Sequence, residues 1–279
     1  MPPTRIILNF GHHCNMACHW CYIPFDGPPP KEDICLRILA RCSEIGIKTI
    51  TLGGGDPFQY KFIGTVLREA RRLNMFSHLD TNGIALHPSE KNFRLIDEAV
   101  DLIGLPLDGP SAAVHNTMRA AQDHFDTLMT RLTWLEPFRS KMKLNTVVTQ
   151  MNARHIVAMV DIVRKIGPCR WSLYQYWPLS AGLAAKAEHE ISQEEFLFAT
   201  AALPQRVDET VVEVNATTER RSTYPFVSHD GILYVHSQQS ISSYEKLGSI
   251  FDDQILPVLF SKTSSERPQA RPRYLKVLR

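Results

Sequence analysis

Residues 5–22 read RIILNFGHHCNMACHWCY, an apolar run that passes through Gly11 into Cys14, Cys18 and Cys21, spaced C-x3-C-x2-C. The run predicts a strand, so the cysteines fall in the loop beyond its carboxyl end. Three thiolates this close in sequence can converge on one metal centre. A four-iron cluster normally takes four protein thiolates, so three leave one iron open to a small-molecule ligand. An open coordination position is what a catalytic metal needs. Two other readings stand beside it: a structural zinc site with His12, His13 or His19 as fourth ligand, and buried thiols without function.

Working outward, apolar strand-like runs alternate with amphipathic helical ones, and no internal repeat accompanies them. Strands are expected near 5–10, 48–52, 76–80, 100–105, 142–148 and 170–176. Helices are expected near 31–45, 60–73, 89–99, 111–136 with a break, and 152–166. In the first helix, Glu32 and Asp33 suit the N-terminal dipole, Ile34, Ile38, Leu39, Cys42 and Ile45 form the apolar stripe, and Gly46 supplies a stop. Six such units imply a parallel sheet with right-handed crossovers, an α/β partial (β/α)6 barrel rather than a closed one of eight. Past Ser180 the pattern changes to a polar connection, a helix near 192–202, and short strands near 209–215, 223–228 and 231–235. The domains expected are therefore a core over 1–180 and a small C-terminal cap over 181–279.

The chain has 279 residues, 44% hydrophobic and 22% charged, with Lys plus Arg 31 against Asp plus Glu 29. That balance gives no general reason to expect a nucleic-acid or membrane surface. The one basic tract is 262–279, where Lys262, Arg267, Arg271, Arg273, Lys276 and Arg279 face Glu266 alone. No secretory signal and no apolar stretch of about 18 residues is visible, so a cytoplasmic protein is expected. Reducing conditions there disfavour disulfides and turn attention to metal binding. Cys35, Cys42 and Cys169 read as small hydrophobes.

Parallel α/β folds bind ligands beyond the carboxyl ends of their strands. After the second strand come Gly53, Gly54, Gly55 and Asp56, where glycine permits close backbone approach and the carboxylate can accept from an ammonium. A phosphate-binding P-loop is excluded, since no G-x4-G-K-[ST] follows. Thr81, Asn82 and Gly83 follow the third strand, and Asp108 follows the fourth. Each is also ordinary turn or cap chemistry taken singly. On the fifth strand Lys143 and Asn145 share one face, with Met142 and Leu144 on the other. A lysine facing into a barrel needs a partner or a ligand; the bland alternative is an exposed strand start. Arg119 is equally open to being a solvated helix-end charge.

With Trp20 just before the third cysteine, the loop resembles that of the radical S-adenosylmethionine superfamily. The resemblance implies a 4Fe-4S cluster on Cys14, Cys18 and Cys21, with S-adenosyl-L-methionine chelating the open iron. It implies Tyr22 beside the adenine; Gly54, Gly55 and Asp56 at the methionine amino group, where the family commonly has glutamate; and Thr81, Asn82, Asp108 and Asn145 as further cofactor contacts. A flavodoxin or ferredoxin-type donor would reduce the cluster, and the cofactor would yield a 5′-deoxyadenosyl radical that abstracts hydrogen from substrate.

KLNTVV on the fifth strand, the run Cys169–Gln175, ISQEEF and YPFVSHDGILYV are most similar to the viperin branch, which dehydrates a nucleoside triphosphate. That likeness implies substrate contacts at Arg119, Lys143, Arg170, Tyr174 and Gln175. Two departures bear on it: Ser172 stands where the branch has a phosphate-binding lysine, and Pro24–Pro30 is proline-rich where it has another. HDGILYVH followed by YEKLGSIFDD is also similar to the C-terminal region of radical peptide-modifying enzymes. With no cysteine beyond Cys169, a single cluster is all this chain can hold. A short peptide or a small metabolite is the alternative substrate. The rival class is a non-catalytic zinc-binding regulator using the basic tail, although zinc-finger spacing and helix-turn-helix cues are missing.

Overall fold

The computed structural model describes residues 5–11, 14–23, 28–220, 225–237, 239–240 and 242–263. His12, His13, residues 24–27 and the basic tail past 263 lie outside the described residues.

The core repeats strand and helix: β1 (Arg5–Asn9), α1 (Glu32–Glu44), β2 (Thr49–Gly53), α2 (Ile63–Arg72), β3 (Phe76–Asp80), α3 (Glu90–Ala99), β4 (Leu102–Pro106), α4 (Ala112–Arg119), α5 (His124–Trp134), β5 (Met142–Val148), α6 (Met159–Ile166) and β6 (Arg170–Gln175). Strands β1 to β6 pair in sequence order and all in parallel. This is the expected partial barrel. Outward residues such as Ile6, Leu8, Ile50, Leu79, Ile103 and Leu144 are fully buried against the helices, which explains the near-continuous apolar strands.

Three expected helices differ for local reasons. The second starts at Ile63 because Asp56 caps a separate 3-10 turn, Pro57–Gln59. The long fourth stretch breaks at Ala120, which is left-handed at φ 51°. The helix expected over 152–166 shortens to α6, because Asn152 is pulled back to cap the ends of β4 and β5. Its side chain accepts from the Thr149 amide and donates to the carbonyls of Asp108 and Val147.

After Ser180 come α7 (Lys186–His189), α8 (Gln193–Ala201), β7 (Arg206–Val207), β8 (Thr210–Asn215), α9 (Thr217–Arg220), β9 (Phe226–Ser228), β10 (Ile232–His236), β11 (Tyr244–Ser249) and α10 (Ile255–Lys262). These strands join the same sheet. Its order is β11-β10-β9-β1-β2-β3-β4-β5-β6-β8-β7, with β9 parallel to β1 and β8 parallel to β6. The C-terminal segment thus widens both edges of the barrel wall, while residues 182–189 close over the cluster loop. Gly182 donates its amide to the Cys21 carbonyl at 2.7 Å, and a Cβ there would lie 2.9 Å from the Trp20 carbonyl oxygen.

Candidate active site

The register of the parallel strands decides which side chains face inward. Thr51 sits beside His78 on β2 and β3, Asp80, Gly104 and Lys143 lie side by side on β3 to β5, and Pro106 sits beside Asn145. Thr51, Asp80, Gly104, Pro106, Lys143 and Asn145 line, with the cysteine loop, one cavity of about 800 Å³, in the upper range for small-molecule sites.

Cys14, Cys18 and Cys21 all line that cavity. Trp20 anchors their loop by donating from its indole to the Met118 carbonyl at 2.6 Å. Burial pushes the Cys21 thiol up to about 12 and raises that of Cys14, so the thiols stay protonated until a metal replaces the protons. His19, a candidate fourth zinc ligand from sequence, groups instead with Glu188 and His189.

Around the thiols, the polar groups are interlocked. Asp56 Oδ1 accepts from the Phe58 amide, and its Oδ2 accepts from Thr81 Oγ1 at 2.8 Å and the Asn82 amide at 2.9 Å. Three of its acceptor positions thus join the ends of β2 and β3, which leaves little for an ammonium. Asn82 Nδ2 reaches the Cys14 sulfur at 3.5 Å. The Asp108 amide donates to His115 Nδ1, so the other His115 nitrogen carries the proton and donates to His124 Nδ1 at 2.7 Å. His124 Nε2 in turn donates to the Asn82 carbonyl. Both rings are therefore neutral, and burial depresses His115 to about 2 and lowers His124. Asp108 is fully buried, accepts from Arg119 Nε at 2.6 Å and from the Val147 amide, and does not line the cavity. Arg119 is no solvated helix end. It is 8% exposed, stacks over Trp20 at 4.6 Å and lies 3.7 Å from the Cys18 sulfur.

The opposite wall is built around Lys143, which is 1% exposed and donates to Tyr174 Oη at 2.8 Å. The reading of Lys143 as an exposed strand start is thereby excluded. Asn145 Nδ2 donates to Asp80 Oδ1 at 2.8 Å across Gly104. Glycine is required at that crossing, because a Cβ would lie 1.9 Å from the same oxygen. Burial opposes ionisation of Asp80, but nearby His78 and Lys143 and the hydrogen bond from Asn145 hold its carboxyl below the usual range. Burial pushes His78 down to about 4. Asn145 Oδ1 is buried and has no hydrogen-bond partner among the described residues. An acceptor left open toward a cavity suits a hydroxyl donor from a cofactor or substrate.

Two expected substrate contacts are used elsewhere. Arg170 pairs with Glu213 at 3.1 Å and does not line the cavity, and Ser172 donates to the same carboxylate. Gln175 lines the cavity, but its amide bridges the Thr217 backbone and the Ile191 carbonyl. Tyr22 is 36% exposed at the mouth, where its carbonyl accepts from Tyr244. Gly54 and Gly55 line the wall as expected.

Arg5, Asp80, Arg220 and His236 also line the cavity and were missed. Arg5 and Asp80 share the inward phase of their strands, a signal present in the alternation. Arg220, stacked over Tyr174 and Trp177, carries no local signal because its segment arrives from the far edge of the sheet.

A sequence model of the Radical SAM superfamily matches residues 8–162. The S-adenosylmethionine-dependent nucleotide dehydratase of Flammeovirga pacifica is 25% identical over 182 residues, 60% of this chain and 60% of the relative. The PqqA peptide cyclase of Rhizobium meliloti (strain 1021) is 22% identical over 170 residues, 60% of this chain and 45% of the relative. The chain thus spans roughly half the length of these curated relatives. Among solved structures, native anSMEcpe with bound AdoMet and Cp18Cys peptide superposes with a TM-score of 0.74 at 16% identity, covering 97% of this chain and 82% of that one. At that identity the likeness shows the fold.

Proposed function

The chain belongs to the Radical SAM superfamily, and from that premise we propose that it cleaves S-adenosylmethionine reductively to act on a small anionic substrate, with a nucleotide as the leading class. The observation carrying this reading is that three thiols and a buried lysine ammonium line one cavity.

A 4Fe-4S cluster held by Cys14, Cys18 and Cys21 would supply the electron that splits the cofactor into methionine and a 5′-deoxyadenosyl radical. The residues around it do the positioning. Arg119 sets a cation beside Cys18, and Asp108 fixes that guanidinium in place. Asn82 steadies Cys14. The backbone of Gly53–Gly55 and the open acceptor of Asn145 fit the cofactor's polar end. Lys143 then orients an anionic group of the substrate, with Arg5 and Arg220 lining the same cavity.

A triphosphate is poorly matched here. Of the cations expected to meet it, Arg119 serves Asp108 and Arg170 serves Glu213. Each charge-assisted contact contributes about 1.5–3 kcal/mol, so their diversion favours an anion carrying less charge, such as a nucleoside monophosphate or a carboxylate. A flavodoxin or ferredoxin-type protein is the electron donor in this reading. Among the described residues no helix is long and apolar enough to cross a membrane, and six free cysteines support a cytoplasmic location.

The test is anaerobic reconstitution with iron and sulfide, followed by reductant, cofactor and either nucleoside mono-, di- and triphosphates or short peptides. We expect 5′-deoxyadenosine from the wild type, stimulation by nucleotides of low charge, and deuterium transfer from a labelled ribose. Absence of 5′-deoxyadenosine, with Cys18→Ala indistinguishable from wild type, would falsify the enzyme reading. Stimulation by peptides alone would replace the substrate class.

A further inference from the structure

A second group of ligand atoms sits on the cavity wall, separate from the thiols. His19 lies in the cluster loop between Cys18 and Trp20, while Glu188 and His189 end the short helix α7. One ligand atom from each lies within 4.8 Å of the other two, the only such trio among the described residues. His189 is 2% exposed, and its Nδ1 is buried without a hydrogen-bond partner among the described residues. Burying such an atom unpaired is costly. The ring is held against Tyr176, with centroids 5.8 Å apart. Glu188 makes no ion pair with a lysine or arginine among the described residues, so nothing there neutralises its charge.

Two imidazoles and one carboxylate are a donor set that holds zinc with a coordination position left open, and the same set serves ferrous iron. We propose that His19, Glu188 and His189 bind a divalent transition-metal ion, zinc foremost, at a site distinct from the cysteine triad. The ion ties the cluster loop to the segment 182–189 that closes over it. Both His19 and Glu188 line the main cavity, so the remaining coordination positions open toward it. An anionic oxygen of the substrate can complete the shell there.

Metal binding at this site is tested without turnover, so its failure and the failure of the proposed reaction are read separately. Thiols bind zinc avidly, so two samples separate the sites: full-length protein with its iron–sulfur cluster assembled, and a Cys14→Ser, Cys18→Ser, Cys21→Ser variant that has no thiols in the loop. Each is equilibrated anaerobically with zinc chloride and desalted, and zinc and iron are counted by elemental analysis. We expect one zinc ion per chain in both samples, with iron in the first unchanged. Glu188→Gln, at an exposed position, and His189→Ala should each weaken zinc binding at least about 100-fold, more than loss of an outer-shell partner does, while iron content holds. The proposal is overturned if the thiol-free protein retains no zinc, if Glu188→Gln binds zinc like wild type, or if zinc enters the first sample only as iron leaves it.

Discussion

At the thiol end of the cavity, Asp56, Asn82, His115, His124, Asp108 and Arg119 satisfy one another in a continuous chain of hydrogen bonds across the ends of β2, β3, β4, α4 and α5. On the opposite wall, Lys143 donates only to a phenol and Asn145 keeps an acceptor without a partner among the described residues. The difference separates two tasks. Groups that hold a loop in place gain from being saturated, since a partly satisfied buried network is costly. Groups that meet a transient ligand must keep bonding capacity in reserve.

Replacing a thiol tests the first wall most severely. Cys18→Ala is expected to abolish cluster assembly, read as loss of bound iron and of 5′-deoxyadenosine to background. Next in size is Arg119→Met, which strands the fully buried Asp108 carboxylate. Breaking a buried pair from one side costs about 3–5 kcal/mol, measurable by denaturant unfolding. A loss below about 1 kcal/mol would mean that water screens the pair and that the saturated wall is less rigid than its geometry indicates.

Lys143→Met probes the reserve side. Cofactor cleavage without substrate should persist, while substrate-dependent hydrogen transfer falls about 10- to 100-fold, the worth of one charge-assisted contact. An equal fall in both would place Lys143 with the cofactor instead.

The smallest effect expected is a pH dependence of stability. His115 and His78 have folded-state pKa values depressed to about 2 and about 4, below the ordinary value near 6.5. The unfolded chain therefore binds protons that the folded one refuses. The sign follows: stability is full above the unfolded pKa and falls as pH drops below it. Between pH 7 and 5.5 each ring should cost about 1 kcal/mol, visible as a falling melting temperature. His115→Phe should remove one share of that slope.

Legibility in the sequence followed locality. The cysteine spacing, the glycines after β2, and the inward phase of Lys143 and Asn145 are statements about neighbours a few residues apart. All were readable because strand alternation and loop position depend on short-range backbone geometry. Arg119 and Arg170 were legible as cations, but the chain could not announce that Asp108 and Glu213 would claim them. His115 and His124 went unread for the same reason, since their bond crosses a helix break whose geometry is set by packing.

The sequence alone determined the partial barrel, the strand ends and the close spacing of three thiols in one loop, because periodicity and spacing are written in order along the chain. Tertiary structure alone decided that the C-terminal strands widen both edges of the sheet, that Arg220 joins the cavity, and that His19 meets Glu188 and His189. Hydrogen bonds elsewhere in the fold likewise join residues 42 to 225 positions apart, among them Asn82 with His124 and Asn9 with Tyr234. Contacts between such distant segments are fixed by the free energy of the whole packed fold rather than by any stretch within it.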